Sequence, residues 1–211
     1  AGDTPPQMAV VPTIAMSAQL PRSGFAGRGF GGGFGGRPGG GTQDAERARQ
    51  LQLDSLRTML RDAAAYAKAH EAYERDPSLP RPARDVVLAS MLPMLRGEMP
   101  VLFAADAASD IRASVEFARD NGLKAIILGG REAPAVADLL KQQDVPVVVT
   151  GVMALPSNED DPYDANYSLP ARLAQAGVRY AIASGDEGAE ARNLPYTAGM
   201  AAAFGLPKDE A

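Results

Sequence analysis

Between Val101 and Phe204, short apolar runs alternate four times with helix-like segments. The runs are Val101–Ala105, Lys124–Leu128, Val145–Thr150 and Val178–Ala183. The segments that follow them lie near 109–121, 134–143, 168–176 and 196–204. Continuous β-branched and apolar runs of this length fit strands buried on both faces. Alternating them with helices is how a parallel sheet is built, because parallel neighbours need a crossover connection. The pattern predicts an α/β fold made of parallel βα units.

Upstream the pattern changes. Met8–Val11 is a strand candidate that continues past Pro12 into Thr13–Met16, and the proline argues against a central position in a sheet. Gly24–Gly41 holds eleven glycines in eighteen residues, with Phe25, Phe30 and Phe34 spaced through it. Such a stretch buries too little surface to offset its backbone entropy, so it reads as a flexible loop. Gly27, Gly29 and Gly32 match a dinucleotide fingerprint by letter, but no strand leads directly into them and no helix follows at once. Arg28 and Arg37 are too few for an arginine–glycine RNA-binding segment.

A long helix is expected from Gln43 to about Glu74, with Leu53, Leu56, Leu60, Ala64 and Ala67 at helical spacing. Thr42 or Asp44 can cap it. The chain's single histidine, His70, falls near its end among Lys68, Glu71 and Glu74, which reads as a solvated face. A second helix, 84–95, ends at Gly97. The expected organisation is an irregular segment over 1–42, a helical region over 43–97 and a βα-repeat domain over 98–211.

Composition narrows the classes. With 21 basic and 26 acidic side chains the net charge is −5, which argues against general binding to a nucleic-acid backbone. No apolar run approaches the roughly 20 residues that span a bilayer, so no membrane partner is expected. The absence of cysteine excludes disulfides and thiolate metal sites and leaves the compartment open. The sequence starts at Ala1 with no signal-peptide pattern, which fits a processed product or a piece of something longer.

In parallel α/β folds ligands gather beyond the carboxyl ends of the strands. That rule selects Ala104–Asp106, Gly129–Glu132, Thr150–Gly151 with the loop to Tyr167, and Ser184–Glu187. Asp106, Glu132 and Asp186 could place carboxylates near a common rim. Alternatively, Asp106 and Asp186 cap the turns into their helices. Ser157 and Ser184 lack the surroundings of a nucleophile, since Ser184 has no flanking glycine pair and His70 is remote. The acidic run Glu159–Asp161 either attracts a hard cation or is simply solvated. A nucleotide binder with phosphate at Gly129-Gly130 is a further alternative.

Several stretches also resemble a known family. Leu95–Asp106 resembles the segment entering the fifth barrel strand of imidazolonepropionase-like amidohydrolases, and Gly129–Ala133 with Val136–Leu140 resembles the next unit. Pro156–Tyr167 and Leu169–Leu173 resemble the loop and helix after the seventh strand. Ile182–Asp186 and Ala191–Tyr196 resemble the last strand and its loop. The resemblance runs in order over residues 84–211.

It implies a metal-dependent hydrolase of C–N bonds in cyclic amides or dipeptides, on a (β/α)₈ barrel that holds a divalent metal such as zinc. By position, the fifth-strand histidine of the family falls at Ala104 and the sixth-strand one at about Gly129; only the aspartate persists, as Asp186. Asp186 is thus the expected catalytic and metal-binding residue, with Asp106, Arg131, Glu132 and Arg192 expected around the substrate. Alanine and glycine offer a metal nothing, so the implied metal site is degenerate.

Four βα units are about half of an eight-stranded barrel. Such a half leaves edge strands and an apolar face open, so either a second chain completes it or copies of the chain form a homo-oligomer. A small open sheet that includes residues 8–16, covered by the early helices, is the remaining option. In function, the alternative to an amidohydrolase-like portion is a non-catalytic scaffold that reuses the barrel half.

Overall fold

A computed structural model describes residues 13–21, 42–156, 160–185 and 188–211. The chain forms two compact units, one of Ala1–Gln19 with Gly97–Ala211 and one of Leu20–Arg96.

The second unit pairs two helices, α1 (Thr42–Arg75) and α2 (Val86–Leu95). Helical spacing puts Leu60 and Ala63 of α1 in the interior, while Leu51 and Met59 are exposed. The α1 surface carries (i, i+3) pairs such as Arg57 with Asp54, at 2.9 Å. Its end is sharp because the Asp76 carboxylate accepts from the N–H of Ser78 at 3.0 Å and from its hydroxyl at 2.6 Å. Those two bonds hold the Asp76 carboxyl below the usual carboxylate range. Asp85 caps α2, accepting from the N–H groups of Val87 and Leu88 at 2.9 and 3.0 Å. His70 departs from the expected solvated face. Tyr66 lies one turn below it, the ring centroids are 4.3 Å apart, and Nε2 is buried without a partner among the described residues.

The first unit is a five-stranded sheet: β1 (Met16–Ala18), β2 (Val101–Ala105), β3 (Ala125–Gly129), β4 (Val147–Val149) and β5 (Tyr180–Ile182). All neighbours are parallel and the spatial order follows the sequence order. β1 sits four residues past Pro12, at the sheet edge, where proline nearby does no harm. Met8–Val11 and the Gly/Phe-rich segment lie outside the described residues. After β2 come α3 (Ala108–Asp120), after β3 a 3₁₀ turn (Ala133–Val136) and α4 (Ala137–Gln142), after β4 α5 (Leu169–Ala176), and after β5 a 3₁₀ turn (Gly188–Asn193) and α6 (Leu194–Ala203). These are parallel βα units corresponding to about half of a (β/α)₈ barrel. A doubly wound nucleotide fold reverses its strand order at a switch point, and this sheet has no reversal. The phosphate expectation at Gly129-Gly130 fails locally too, because a four-residue 3₁₀ turn follows where a helix N-terminus was needed.

Burial alternates along the strands. Val101, Phe103, Ile127, Val147 and Val149 are buried, and Ile111 and Val115 of α3, Leu140 of α4 and Leu169 and Leu173 of α5 are buried with them. Phe103 meets Phe117 of α3 edge to face, with ring centroids 6.4 Å apart. On the other face Leu102, Ile126, Leu128 and Val148 are only half-buried, and Ala104 and Ala181 are exposed.

Each helix of this unit stops in the same way. A residue with positive φ (Gly122, Asp144, Gly177 or Gly205) is followed by an apolar one whose N–H reaches back to the helix. The bonds run from Leu123 to Ala118 O, Val145 to Leu140 O, Val178 to Leu173 O and Leu206 to Ala201 O, at 2.9 to 3.1 Å. This is the Schellman stop, and it satisfies the last carbonyls while aiming the chain into the next strand. At Asp144, φ is +51°, and the carboxylate and carbonyl both accept from Arg179, at 2.8 and 2.9 Å. No helix among the described residues is long and apolar enough to cross a membrane.

At the far end of the chain the Tyr180 hydroxyl donates to Glu210 Oε1 at 2.8 Å. Desolvation, then that bond and the Glu210 charge, push the phenol well above its ordinary value of 10.0. A raised folded-state value means the stabilisation is complete below the unfolded value and is lost as pH rises towards the folded one. Tyr180→Phe is therefore expected to cost about 1 kcal/mol or less at neutral pH, the bond being partly exposed. Urea midpoints should show the gap between the two proteins shrinking at about pH 11 relative to about pH 8; an unchanged gap would mean that the Tyr180–Glu210 bond is not the linked group.

Candidate functional site at the carboxyl rim of the sheet

The carboxyl ends of β2 and β3 are stitched together by backbone. Gly130 N–H donates to Ala105 O and Glu132 N–H donates to Asp106 O, both at 2.9 Å. These bonds need the chain to turn directly after β3, which it does through Gly129 (φ +100°) and Gly130 (φ +73°). Space there is as restrictive as conformation. A Cβ on Gly129 would lie 2.5 Å from Asp106 Oδ1, and one on Gly130 would lie 2.5 Å from Val147 Cγ1.

The side chains divide the work differently from the sequence expectation. Asp106 does not cap the helix after it. The cap residue of α3 is Ala107, which has no side-chain acceptor, and Glu132 supplies one from the neighbouring loop, its Oε2 accepting from Ala108 N–H at 2.8 Å. Asp106 instead faces Arg131, with Oδ1 3.6 Å from Nε. That pair is long and about 40% exposed on each side, the side chains being at 39% and 46%. Exposed pairs of this kind contribute about 0–1 kcal/mol, so the backbone bonds hold the rim and the ion pair decorates it.

Two clefts open at this rim. One, of about 670 Å³, is lined by Asp106, Arg131, Glu132, Asp161, Asp164 and Arg172. The other, of about 510 Å³, is lined by Thr150, Ser184, Glu190, Asn193, Tyr196 and Thr197 together with Met153, Ala154 and Ala183. The loop after β4 is fixed beside them at two points. Asn166 is buried and donates to the carbonyls of Ala154 and Leu155 at 3.1 and 3.0 Å, and Tyr167 packs on Phe204 with ring centroids 4.9 Å apart.

The structure thus brings Asp106, Arg131 and Glu132 together. Arg192 is exposed in the 3₁₀ turn before α6 and lines neither cleft. Asp186 lies outside the described residues, and Gly185 just before it has φ +87°. Of the acidic run, Glu159 is outside the described residues, Asp160 is exposed and Asp161 joins the first cleft. Asn166, Asp164 and Arg172 were not singled out from sequence. Asp164 and Asn166 sit in a polar loop where a buried asparagine reads like any loop residue, and Arg172 is the one charged residue of α5.

Among the described residues no divalent-metal site is assembled. Ala104 and Gly129 have no donor, and no group of three His, Asp or Glu side chains converges among the described residues. No family model matches the chain, and no curated protein does. Among solved structures, the crystal structure of an amidohydrolase from Thermotoga maritima MSB8 matches with a TM-score of 0.67 at 20% identity. The fold is amidohydrolase-like. The match covers 77% of this chain and 42% of that one, so this chain spans less than half of the solved protein.

Two substitutions test the rim. Glu132→Ala should lower stability by about 1 kcal/mol through the lost cap on α3, and Glu132→Gln, which keeps an acceptor, by less; equal urea midpoints for both variants would assign the effect elsewhere. Asn166→Ala removes a buried amide and its bonds to the carbonyls of Ala154 and Leu155, and thermal melts should show a loss of about 1 kcal/mol.

Proposed function

We propose that this chain is a portion of an amidohydrolase-like barrel whose metal centre is degenerate, so that it retains the rim and clefts of a hydrolase without the metal chemistry. The observation that supports this reading is the carboxyl end of β3. There a left-handed glycine, hemmed by the Asp106 carboxylate, occupies the position where the resemblance puts a metal-binding histidine. Hydrolysis of a C–N bond in the family's manner needs a polarised carbonyl and an activated water, and the described rim offers only arginine, carboxylates and hydroxyls. The first cleft, with its arginines and four carboxylates, suits a small ligand bearing both charges. Binding without turnover is the activity this reading gives the chain.

Asp186 remains the one position at which the resemblance keeps a donor. The test is metal content. The purified chain, equilibrated with zinc and then desalted, should retain well under one equivalent by elemental analysis. A stoichiometric zinc ion that is lost on Asp186→Ala would overturn the reading.

A further inference from the structure

The first cleft, of about 670 Å³, is large enough for a small organic ligand, and its charges are unevenly committed. Asp106 faces Arg131 at 3.6 Å, Glu132 accepts from Ala108 N–H, and Asp161 is engaged as well. Asp164 and Arg172 differ. Among the described residues neither side chain has a hydrogen bond or an ion pair, although both line the cleft. They are nonetheless aligned. Ser168 N–H donates to Asp164 O at 2.9 Å and Arg172 N–H donates to Ser168 O at 3.0 Å. The turn before α5 thus runs on into the helix, and residues 164, 168 and 172 share one face. Ser168 is the N-cap residue of α5, yet its hydroxyl makes no capping bond. A carboxylate, a hydroxyl and a guanidinium therefore follow one another at intervals of one turn. At helical rise the Cα atoms of Asp164 and Arg172 are about 12 Å apart, too far for the two charges to meet. The arginine side chain leans back towards the helix N-terminus, so what remains between the charges is the space of a small molecule.

We infer that this cleft binds a free α-amino acid with a short aliphatic side chain, its carboxylate on Arg172 and Ser168 and its ammonium on Asp164. Three observations select that class. One unpaired charge of each sign stands in the cleft, so a ligand with a single charge would leave the other unanswered. A carboxylate held by Arg172 and Ser168 lies over the first turn of α5, where the positive end of the helix dipole favours an anion. Ala107, Ala135, Pro162 and Ala165 give the cleft small apolar walls, which suit a short aliphatic side chain. Neither Ala104 nor Gly129 lines the cleft, so the ligand is held apart from the positions where the resemblance puts metal-binding histidines. This deepens the binding reading above and rests on it.

The test is a titration of the purified 211-residue chain followed by its amide chemical shifts. The probe is L-valine. The controls are 3-methylbutanoate, which lacks the ammonium, and isobutylamine, which lacks the carboxylate. L-valine should move the amide signals between Asp164 and Arg172 along a saturable curve in the millimolar range, and each control should bind at least about tenfold more weakly. Asp164→Asn and Arg172→Gln alter side chains that bond nothing else among the described residues, so both should keep the fold. Arg172→Gln should bring L-valine down to the level of isobutylamine, and Asp164→Asn to the level of 3-methylbutanoate. If a variant unfolds, the two controls on the unaltered chain still decide. Absence of a saturable shift up to roughly 50 mM L-valine would overturn the inference, as would equal affinity for either control or shifts confined to the second cleft. The zinc measurement is separate. A chain that holds zinc and still discriminates L-valine would overturn the metal reading alone, and a zinc-free chain indifferent to L-valine would overturn this inference alone.

Discussion

One row of side chains sets the rest of the sheet. Ala18, Phe103, Ile127, Val147 and Tyr180 are register partners across all five strands, and the three central members are essentially inaccessible. Each large side chain in such a row stabilises by about 1.5–3 kcal/mol when fully buried. A slip of one residue in any central strand would turn its member outwards and put a half-buried neighbour such as Leu102 or Val148 under the helices. Once the row is fixed, so is the rim. Ala105 and Gly129 are register partners two positions further on, and the loops leaving them are close enough to exchange backbone bonds.

The central strands were legible because they are apolar on both faces, although only one face is fully buried here, and β-branched runs such as Val145–Thr150 then have few other readings. The helix stops were half legible. Gly122, Gly177 and Gly205 are ordinary signals, but Asp144 does the same work with a side chain that must tolerate positive φ, and nothing local announces it. β1 was visible only as a vague apolar stretch. Three residues at an edge carry too little periodicity to fix their own limits, and β2 defines them by pairing.

The rim was legible by rule and illegible in detail. The location of ligand sites at strand ends follows from the direction of the strands, so Asp106, Arg131 and Glu132 could be named from sequence. Which carboxylate serves which helix could not, because Glu132 caps α3 from 24 residues away. A cap supplied through space leaves no spacing in the sequence. His70 makes the same point on α1. Charged neighbours along the chain suggested solvent, while the residue that matters to it, Tyr66, is its neighbour only around the helix.

The two rim positions where the resemblance puts histidine differ in kind. Ala104 is in a regular strand and is exposed, so a larger side chain there meets nothing that must move. Gly129 has φ +100°, where a side chain costs on the order of 1–2 kcal/mol before any contact is counted, and its Cβ would have to displace the Asp106 carboxylate. That carboxylate is held loosely, by Arg131, and could swing away, but the backbone could not relax without giving up Gly130 N–H to Ala105 O and Glu132 N–H to Asp106 O. Losing the second of those bonds would also shift the loop that carries the Glu132 cap on α3. The rim is therefore committed at the level of backbone at one position and only of side chain at the other. The stitch between the β2 and β3 loops, which stabilises this half of the fold, thus leaves a side chain tolerable at Ala104 and costly at Gly129.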